Sequence, residues 1–302
     1  MEEKKCEDFK KWLSGIPYEV AFWRSYYGNK RRRRDLFSWS LYGKPCVLDG
    51  FDIDSYIKEL DTAHPVILDV GCALSYAFGN IINGKVADIT YVDPLASFYN
   101  RILDRYKIER PRITFGLIES LTGTFMPSST DFIHVRNALD HCADPVEGIV
   151  QCLAALKPGG ILYLNHFVNE AEGEGYRGFH QFNIKEDNGN LVIWNRSDNI
   201  NVTDLLSDVA TINTDVFMVG GRQRVVAILK KTSDLPKVLF DPARVTRRVT
   251  DNLISTVEYF HDFKNSARYQ WHRLFSTVGH RTMRLLPFGL LNRIKRLAGN
   301  KK

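Results

Sequence analysis

The sequence contains no uninterrupted apolar stretch of about 18 residues, the length that a membrane-spanning helix needs. Its first dozen residues are rich in charge, whereas a secretory signal has an apolar segment there. Five cysteines are scattered over 302 residues without a CxxC pair, which fits neither a disulfide framework nor a cysteine metal site. We therefore expect a protein of a reducing compartment with a cytoplasmic location.

The composition is that of a folded protein, with 44% apolar and 25% charged residues. The net charge of +6 is unevenly spread, because residues 231–302 hold 15 Lys/Arg against 5 Asp/Glu, a local charge of +10. Residues 1–230 are therefore mildly acidic, at −4. This asymmetry predicts an anionic partner for the C-terminal part of the chain.

The middle of the chain alternates between strand and helix patterns, which predicts an α/β fold with a doubly wound, mainly parallel sheet of seven strands. The five strands predicted first are 66–70, 89–93, 112–115, 131–135 and 161–164. The predicted helices are 75–82, 96–106, 145–156 and 202–210, and segments 215–219 and 224–229 form a closing hairpin.

Three regions are predicted. A helical N-terminal cap or substrate segment covers 1–63, and the α/β domain covers 64–232 with a polar insertion at 165–200. The basic segment 233–302 has apolar residues at helical spacing opposed by Arg and Lys, which predicts an amphipathic helical tail.

A nucleoside-binding turn is predicted after the first strand, where Asp69 and Gly71 precede a predicted helix. Asp93 ends the second strand and is placed to accept hydrogen bonds from ribose hydroxyls. A dinucleotide fingerprint would need further glycines, and the turn offers Ala73 instead. A carboxylate at the end of the first strand favours a cationic ligand such as S-adenosylmethionine (SAM).

Four motifs in this order resemble those of class I SAM-dependent methyltransferases of the type 11 group. They are Val66–Ala73, Tyr91–Pro94, Asp131–His141 together with Asp144-Pro145, and Leu156–Gly160. Within that group, residues 92–95, 136–141 and 164–167 resemble bacterial enzymes associated with surface-polysaccharide assembly. The resemblance implies a Rossmann-like methyltransferase fold and SAM as the cofactor.

The resemblance also implies which residues hold the cofactor. Beside its methionine part it places Asp69, Gly71 and Ala73, with Ala73 standing where the group usually has a second glycine. It places Asp93 at the ribose, Leu95 or Ile118 against adenine, and Glu119 near the exocyclic amine. Asn137 and Ala138 are expected to line the pocket after the fourth strand.

Methyl transfer to a hydroxyl often needs a base, and histidine titrates in the suitable range. Three histidines qualify by position: His166 after the fifth strand, His141 next to Asp140, and His180 in the insertion. His166 is the first candidate and His141 the second. A structural role is the competing interpretation for each, and His134, inside the fourth strand, is interpreted as buried structure. No compact ligand spacing indicates a metal, and none is predicted.

The predicted acceptor site draws on two segments. In the basic run 30–34, Arg31 and Arg33 could hold an anionic sugar, although a solvated charge run is the competing interpretation. In the insertion, Tyr176, His180 and Trp194 are predicted to contact the substrate as part of a sugar-binding lid, unless its aromatic residues only pack the loop.

These features together predict a SAM-dependent methyltransferase that O-methylates a sugar hydroxyl in a bacterial surface glycan or glycolipid precursor. The tail is expected to bind an anionic membrane surface, which would make the protein peripheral at the inner membrane. Nucleic acid is disfavoured as a partner, and a homo-oligomer or an assembly with other glycan enzymes stays open. The alternatives are a quinone or lipid methyltransferase and a non-catalytic scaffold with a SAM fold.

Overall fold

The structure is a computed structural model that describes residues 2–48, 51–52, 56–57, 60, 62, 64–245, 267, 269–271 and 274. The helices are α1 (Glu2–Gly28), α2 (Lys30–Trp39), α3 (Ala96–Tyr106), α4 (Pro145–Ala155), α5 (Glu170–Gly173) and α6 (Val202–Leu206). The first strands are β1 (Val47–Leu48), β2 (Phe51–Asp52), β3 (Ile67–Val70), β4 (Ile81–Ile82), β5 (Lys85–Val86), β6 (Ile89–Val92) and β7 (Thr130–Arg136). The others are β8 (Leu156–Phe167), β9 (Asn183–Asp187), β10 (Asn190–Trp194), β11 (Asn199–Asn201), β12 (Ala210–Val219) and β13 (Arg222–Lys231).

The central sheet has the strand order β12-β13-β8-β7-β3-β6. Strands β6, β3, β7 and β8 run parallel, and β13 and β12 add an antiparallel hairpin. All four residues of β3 are buried, as expected for a strand covered on both faces. The predicted fold class is confirmed, with six strands in the described part of the chain instead of seven.

The missing strand is segment 112–115, which meets the sheet through one bridge between Val92 and Thr114. Thr114 donates its N–H to the Tyr91 carbonyl at 2.7 Å. The Asn100 side chain occupies both the N–H and the carbonyl of Ile113, at 3.0 and 2.8 Å. The segment is therefore fixed to the sheet at Thr114 and to α3 at Ile113, and no ladder of strand hydrogen bonds forms.

The helix predicted over 75–82 is also absent. Ala73 and Tyr76 both have φ of 46°, a left-handed conformation that interrupts a helix. Carbonyls at the start of this segment accept hydrogen bonds from the N-terminal region instead. The carbonyl of Leu74, just before it, accepts from the Tyr27 hydroxyl at 2.6 Å, and the Tyr76 carbonyl accepts from the N–H of Leu41 at 3.0 Å. The N-terminal region thus replaces the intrahelical partners that the prediction assumed.

Elements with local signals lie where they were predicted. Helix α3 has the predicted bounds, and α4 is one residue shorter than expected. Asp144 caps α4 by accepting a hydrogen bond from the N–H of Glu147 at 3.1 Å, with Pro145 in the first turn. The predicted hairpin forms as β12 and β13, whereas α6 ends at Leu206 and not at 210.

Helix α1 lies over the carboxyl end of the sheet. Its buried residues Trp12, Ile16 and Val20 belong to the same core as the strand residues Ile67 and Tyr91. At its amino-terminal end, the Trp12 ring stacks on Phe179 of the insertion with centroids 5.4 Å apart. The insertion itself holds α5 and a three-stranded antiparallel sheet of order β11-β10-β9.

No helix among the described residues is both long enough and apolar enough to span a bilayer. The amphipathic helix predicted for the tail falls almost entirely on residues outside the described ranges.

Candidate active site

A cavity of about 790 Å³ opens at the carboxyl end of the parallel strands, where α/β folds bind their ligands. Val70, Asp93, Arg136 and Phe167 contribute to its wall from the ends of four neighbouring strands. Eight of the nine residues predicted to hold the cofactor line this cavity: Gly71, Ala73, Asp93, Leu95, Ile118, Glu119, Asn137 and Ala138.

The turn after β3 requires a glycine. Gly71 has φ of 70°, and a Cβ atom at this position would overlap the Cβ of Ala138. The N–H of Gly71 donates to the Val92 carbonyl at 2.8 Å, which ties the turn to β6. Ala73, which stands where the methyltransferases that the sequence resembles usually have a glycine, adopts the left-handed conformation. Its N–H donates to Asp93 Oδ2 at 3.0 Å.

Asp93 is buried in the cavity wall, and both of its oxygens accept backbone hydrogen bonds. Oδ2 is bonded by Ala73, and Oδ1 accepts from the N–H of Leu95 at 2.8 Å. Burial raises the pKa of Asp93 to about 7, although the two backbone N–H groups favour the ionised form. Each carboxylate oxygen keeps a second acceptor position, which a ribose hydroxyl can use.

Glu119 lies farther along the same wall, in the short 3₁₀ helix Ile118–Gly123. Its Oε1 accepts hydrogen bonds from the N–H groups of Ala143 and Asp144, at 2.8 and 3.4 Å. Burial raises the pKa of this carboxyl group. The second oxygen is the acceptor that an adenine amine would need.

Asp69, the ninth predicted cofactor residue, does not line the cavity. Its Oδ1 lies 2.7 Å from Nδ1 of His134, which is directly opposite in the register of β3 and β7. The His134 ring stacks on Phe78 with centroids 4.8 Å apart, and both members of the pair are buried. Asp69 therefore orients β3 and β7 within the core, and His134 is the buried structural residue that the sequence suggested.

Asp140, His141 and His180 form a polar cluster at the wall of the same cavity. Asp140 Oδ2 lies 2.7 Å from His180 Nδ1 and 3.3 Å from His141 Nε2, and the two histidine nitrogens are 3.1 Å apart. Both histidines line the cavity, and Asp140 is buried behind them. The fold thus brings His180 of the insertion beside the predicted pair.

The charges of the cluster support one another. Burial favours the neutral acid, but His141 and His180 nevertheless lower the pKa of Asp140 to about 2. Burial likewise opposes a charged imidazole, yet the hydrogen bond to Asp140 raises the pKa of His180. Asp140 is therefore an anion at neutral pH, and it fixes the positions of both histidines.

His166, the first candidate for a base, is placed elsewhere. It lies inside β8, is fully buried and does not line the cavity. Burial lowers its pKa to about 3, and neither ring nitrogen has a hydrogen-bond partner within the described residues. A neutral imidazole out of reach of the cavity cannot take a proton from a substrate there, so the geometry favours the polar cluster.

Arg224 is a cavity residue that the sequence reasoning missed. It is fully buried, its Nε donates to Asn165 Oδ1 at 2.6 Å, and its Nη2 donates to Asn137 Oδ1 at 3.1 Å. The guanidinium also lies over the Phe167 ring at 4.2 Å. The signal was an arginine at the start of the apolar segment 224–229, which is unusual for a buried strand.

Aromatic side chains form the roof of the cavity. Four come from α1 and one from the insertion, and they are Trp12, Tyr18, Phe22, Trp23 and Phe179. The aromatic content of the N-terminal segment was visible in the sequence, but its position over the sheet was not.

Four of the five predicted substrate residues lie outside the cavity, and His180 is the exception. Arg31 is exposed, and Arg33 donates to the Tyr27 carbonyl at 2.6 Å. Tyr176 accepts a hydrogen bond from Asn183 at 2.8 Å, and Trp194 donates to Asn169 at 3.0 Å. Tyr176 and Trp194 therefore form hydrogen bonds within the insertion itself.

Comparison with known proteins gives a family match over part of the chain. Residues 68–164 match the family model described as "Methyltransferase domain". Over 140 residues, 43% of its length, the chain is 26% identical to the tRNA U34 carboxymethyltransferase of Campylobacter concisus (strain 13826). The match covers 48% of that protein, so the chain spans about half the length of this curated relative.

Two solved structures are also similar. A SAM-dependent methyltransferase from Aquifex aeolicus has 14% identity and a TM-score of 0.38, over 60% of this chain and 90% of that one. The CMeT domain of the citrinin polyketide synthase has 14% identity and a TM-score of 0.44, over 70% of this chain and 59% of that one. Over residues 68–164 the family match confirms a methyltransferase domain of the SAM-dependent class with SAM as its cofactor, and the domain bounds 64–232 stay a prediction.

Proposed function

We propose that this protein transfers the methyl group of SAM to a hydroxyl group of a sugar in a bacterial surface glycan or glycolipid precursor. The observation that carries the proposal is that one cavity joins the predicted cofactor residues to the cluster of Asp140, His141 and His180. A hydroxyl acceptor must lose its proton, and the cluster provides groups that can take it.

The residues on the cofactor side fit SAM. Gly71 has no side chain, and a Cβ atom there would overlap Ala138, so the backbone of the turn faces the cavity directly. Asp93 and Glu119 provide buried acceptors along the same wall. In this arrangement Asp93 would hold the ribose and Glu119 the adenine amine. When bound, the cofactor supplies an electrophilic methyl group on a positively charged sulfur.

The cluster of Asp140, His141 and His180 would position the acceptor hydroxyl and take its proton. Asp140 is anionic and buried, so it holds His141 and His180 in fixed orientations at the cavity surface. A hydroxyl group against these histidines would give up its proton to the cluster as its oxygen bonds to the methyl carbon. The bond between that carbon and sulfur would break, and its electron pair would leave with the neutral thioether. The roof formed by α1 would exclude water from this step, since Trp12 and Phe179 line the cavity and stack on each other.

The aromatic roof supports a sugar as the acceptor. Sugar rings present apolar C–H faces that pack on aromatic rings, and their hydroxyl groups need charged or amide partners. The cavity offers both, with Trp23 and Phe22 in the roof and Glu170, Glu174 and Arg224 in the wall.

A quinone or lipid headgroup is the second candidate, because the same aromatic roof would also cover a planar apolar ring. The two candidates differ in where the methyl group goes, and a scaffold protein would transfer none.

The test is methyl transfer from labelled SAM into a bacterial cell-envelope extract that is then separated into polysaccharide, lipid and protein fractions. The proposal expects the label in sugars of the polysaccharide or glycolipid fraction, recovered as a methyl ether after hydrolysis. Label in quinone or in lipid without sugar would support the second candidate. No transfer into any fraction would contradict both and leave the scaffold.

We also propose that the basic tail 233–302 places the enzyme at the inner membrane. The support is the sequence pattern, in which Leu285, Leu286 and Leu290 alternate with Arg284 and Arg293. A polymeric or lipid-linked acceptor would be built at that surface.

A further inference from the structure

Three ligand atoms converge at the acceptor side of the cavity. They are Asp140 Oδ2, His141 Nε2 and His180 Nδ1, and their separations are 2.7, 3.1 and 3.3 Å. The two histidines are separated by 38 residues of sequence and come from different elements, so helix or strand periodicity does not explain their meeting. The fold has assembled a small triangle of one carboxylate oxygen and two imidazole nitrogens.

Protons satisfy such a triangle poorly. A proton on His180 Nδ1 serves the 2.7 Å contact with Asp140, and it then points away from His141 Nε2. A second proton on His141 Nε2 would place two N–H donors 3.1 Å apart. Without it, the lone pair of that nitrogen faces the Asp140 oxygen at 3.3 Å. One edge of the triangle is therefore unfavourable in either case.

The carboxylate gives a second and independent indication. Asp140 is 3% exposed, and its Oδ1 has no hydrogen-bond partner among the described residues. A buried acceptor left without a donor costs about 1–3 kcal/mol, and more when it is charged. A buried carboxylate with one oxygen that no donor reaches is compensated when a cation binds to the group.

The geometry suits a metal ion. Ligand atoms around an ion at bond lengths of roughly 2.1 Å lie about 3.0–3.4 Å apart, close to the separations in this triangle. A point about 2.1 Å from all three atoms exists just outside their plane, so one ion could bind all three with small shifts. Two imidazoles with one carboxylate favour zinc, iron(II), cobalt or manganese over magnesium, which prefers oxygen ligands.

We propose that Asp140, His141 and His180 bind a divalent first-row transition-metal ion with at least one coordination position open toward the cavity. The open position would take the acceptor hydroxyl oxygen and favour its deprotonated form, as metal ions do for bound water. With the ion bound, the three ligand atoms are occupied, and the proton of the hydroxyl would pass to the carboxylate of Glu174 in the same cavity wall. The inference rests on the proposed function for the identity of this acceptor. The metal site itself rests on the three ligands.

The test is binding of Co²⁺ and Zn²⁺ to the full chain after treatment with a chelator. Cobalt reports its ligands through visible absorption, and zinc content is measured by mass spectrometry. We expect one ion per chain, and at least tenfold weaker binding by His141→Ala and His180→Ala. The matched control is His64→Ala, which removes an exposed histidine remote from the cavity and should bind as the original chain does.

Circular dichroism melting of each variant checks its folding, and the two histidines are about a fifth to a quarter exposed, so their removal should be tolerated. Wild-type binding no stronger than that of His141→Ala, with both folded, would overturn the metal site. Methyl transfer that persists after chelation, with no ion bound, would also overturn it and leave the proposed function intact. A bound ion without any methyl transfer would support the site and contradict the proposed function.

Discussion

Replacing Gly71 with alanine tests how the turn after β3 forms the cofactor side of the cavity. The residue has φ of 70°, and its new Cβ would overlap the Cβ of Ala138, another cavity residue. A left-handed alanine costs about 1–2 kcal/mol. The contact with Ala138 adds an overpacking cost of about 1–3 kcal/mol. Gly71→Ala should therefore lower the free energy of unfolding by about 2–5 kcal/mol.

Gly84→Ala provides the matched control. Gly84 has φ of 73°, and a Cβ atom there would have no neighbour within 4 Å. This variant should lose only the backbone term of about 1–2 kcal/mol. The difference between the two variants isolates the contact with Ala138.

The consequence for the cofactor follows from the same contact. Ala138 must move in Gly71→Ala, and its movement changes the wall against which SAM is proposed to lie. We expect SAM to bind at least tenfold more weakly, about 1.4 kcal/mol, with Gly84→Ala unchanged. Urea unfolding and titration calorimetry measure the two quantities. Equal stabilities and equal SAM affinities for both variants would refute the reasoning.

Three further predictions concern other residues. Because burial raises the pKa of Asp93 to about 7, SAM affinity should fall about tenfold per unit below pH 7, and Asp93→Asn should remove this dependence. The same shift means that, between about pH 4 and pH 7, Asp93 keeps its proton in the folded apoprotein and releases it in the unfolded chain. The free energy of unfolding of the apoprotein should therefore fall as the pH rises from about 4 to 7, and a free energy from urea unfolding that does not change with pH would contradict this. His166→Leu should leave the pH profile of methyl transfer unchanged, whereas His141→Ala should lower the rate of methyl transfer by about 10²–10⁴-fold. A large loss of rate in His166→Leu and none in His141→Ala would restore His166 as the base. Removal of residues 281–302 should release the protein from vesicles of anionic lipid, and unchanged co-sedimentation would contradict the membrane proposal.

Local signals allowed much of the fold to be predicted. Helix α4 follows from its cap at Asp144 and from Pro145, and it ends within one residue of the predicted position. The helix predicted over 75–82 fails for a reason that local pattern does not contain. Its carbonyls are bonded by Tyr27 and Leu41, residues more than 30 positions away in the chain.

The site likewise contains residues that contiguous motifs predict and residues that only the tertiary fold brings into place. The turn at Gly71 and the acidic residue Asp93 belong to contiguous motifs, and the structure brings both to the cavity. Asp69 also belongs to such a motif, but the register of β3 with β7 pairs it with His134 instead. His180 joins the polar cluster only because the insertion folds back over the sheet, which no spacing in the sequence indicates.

The central claim is that the methyl group of SAM leaves this cavity for a hydroxyl oxygen. The most direct measurement is the rate of label transfer from methyl-labelled SAM to an envelope acceptor, comparing the original chain with Asp93→Asn at the same subsaturating SAM concentration. The account predicts label in an O-methyl ether and a rate at least tenfold lower for the variant. Equal rates for the two proteins, or no transfer by either, would contradict it.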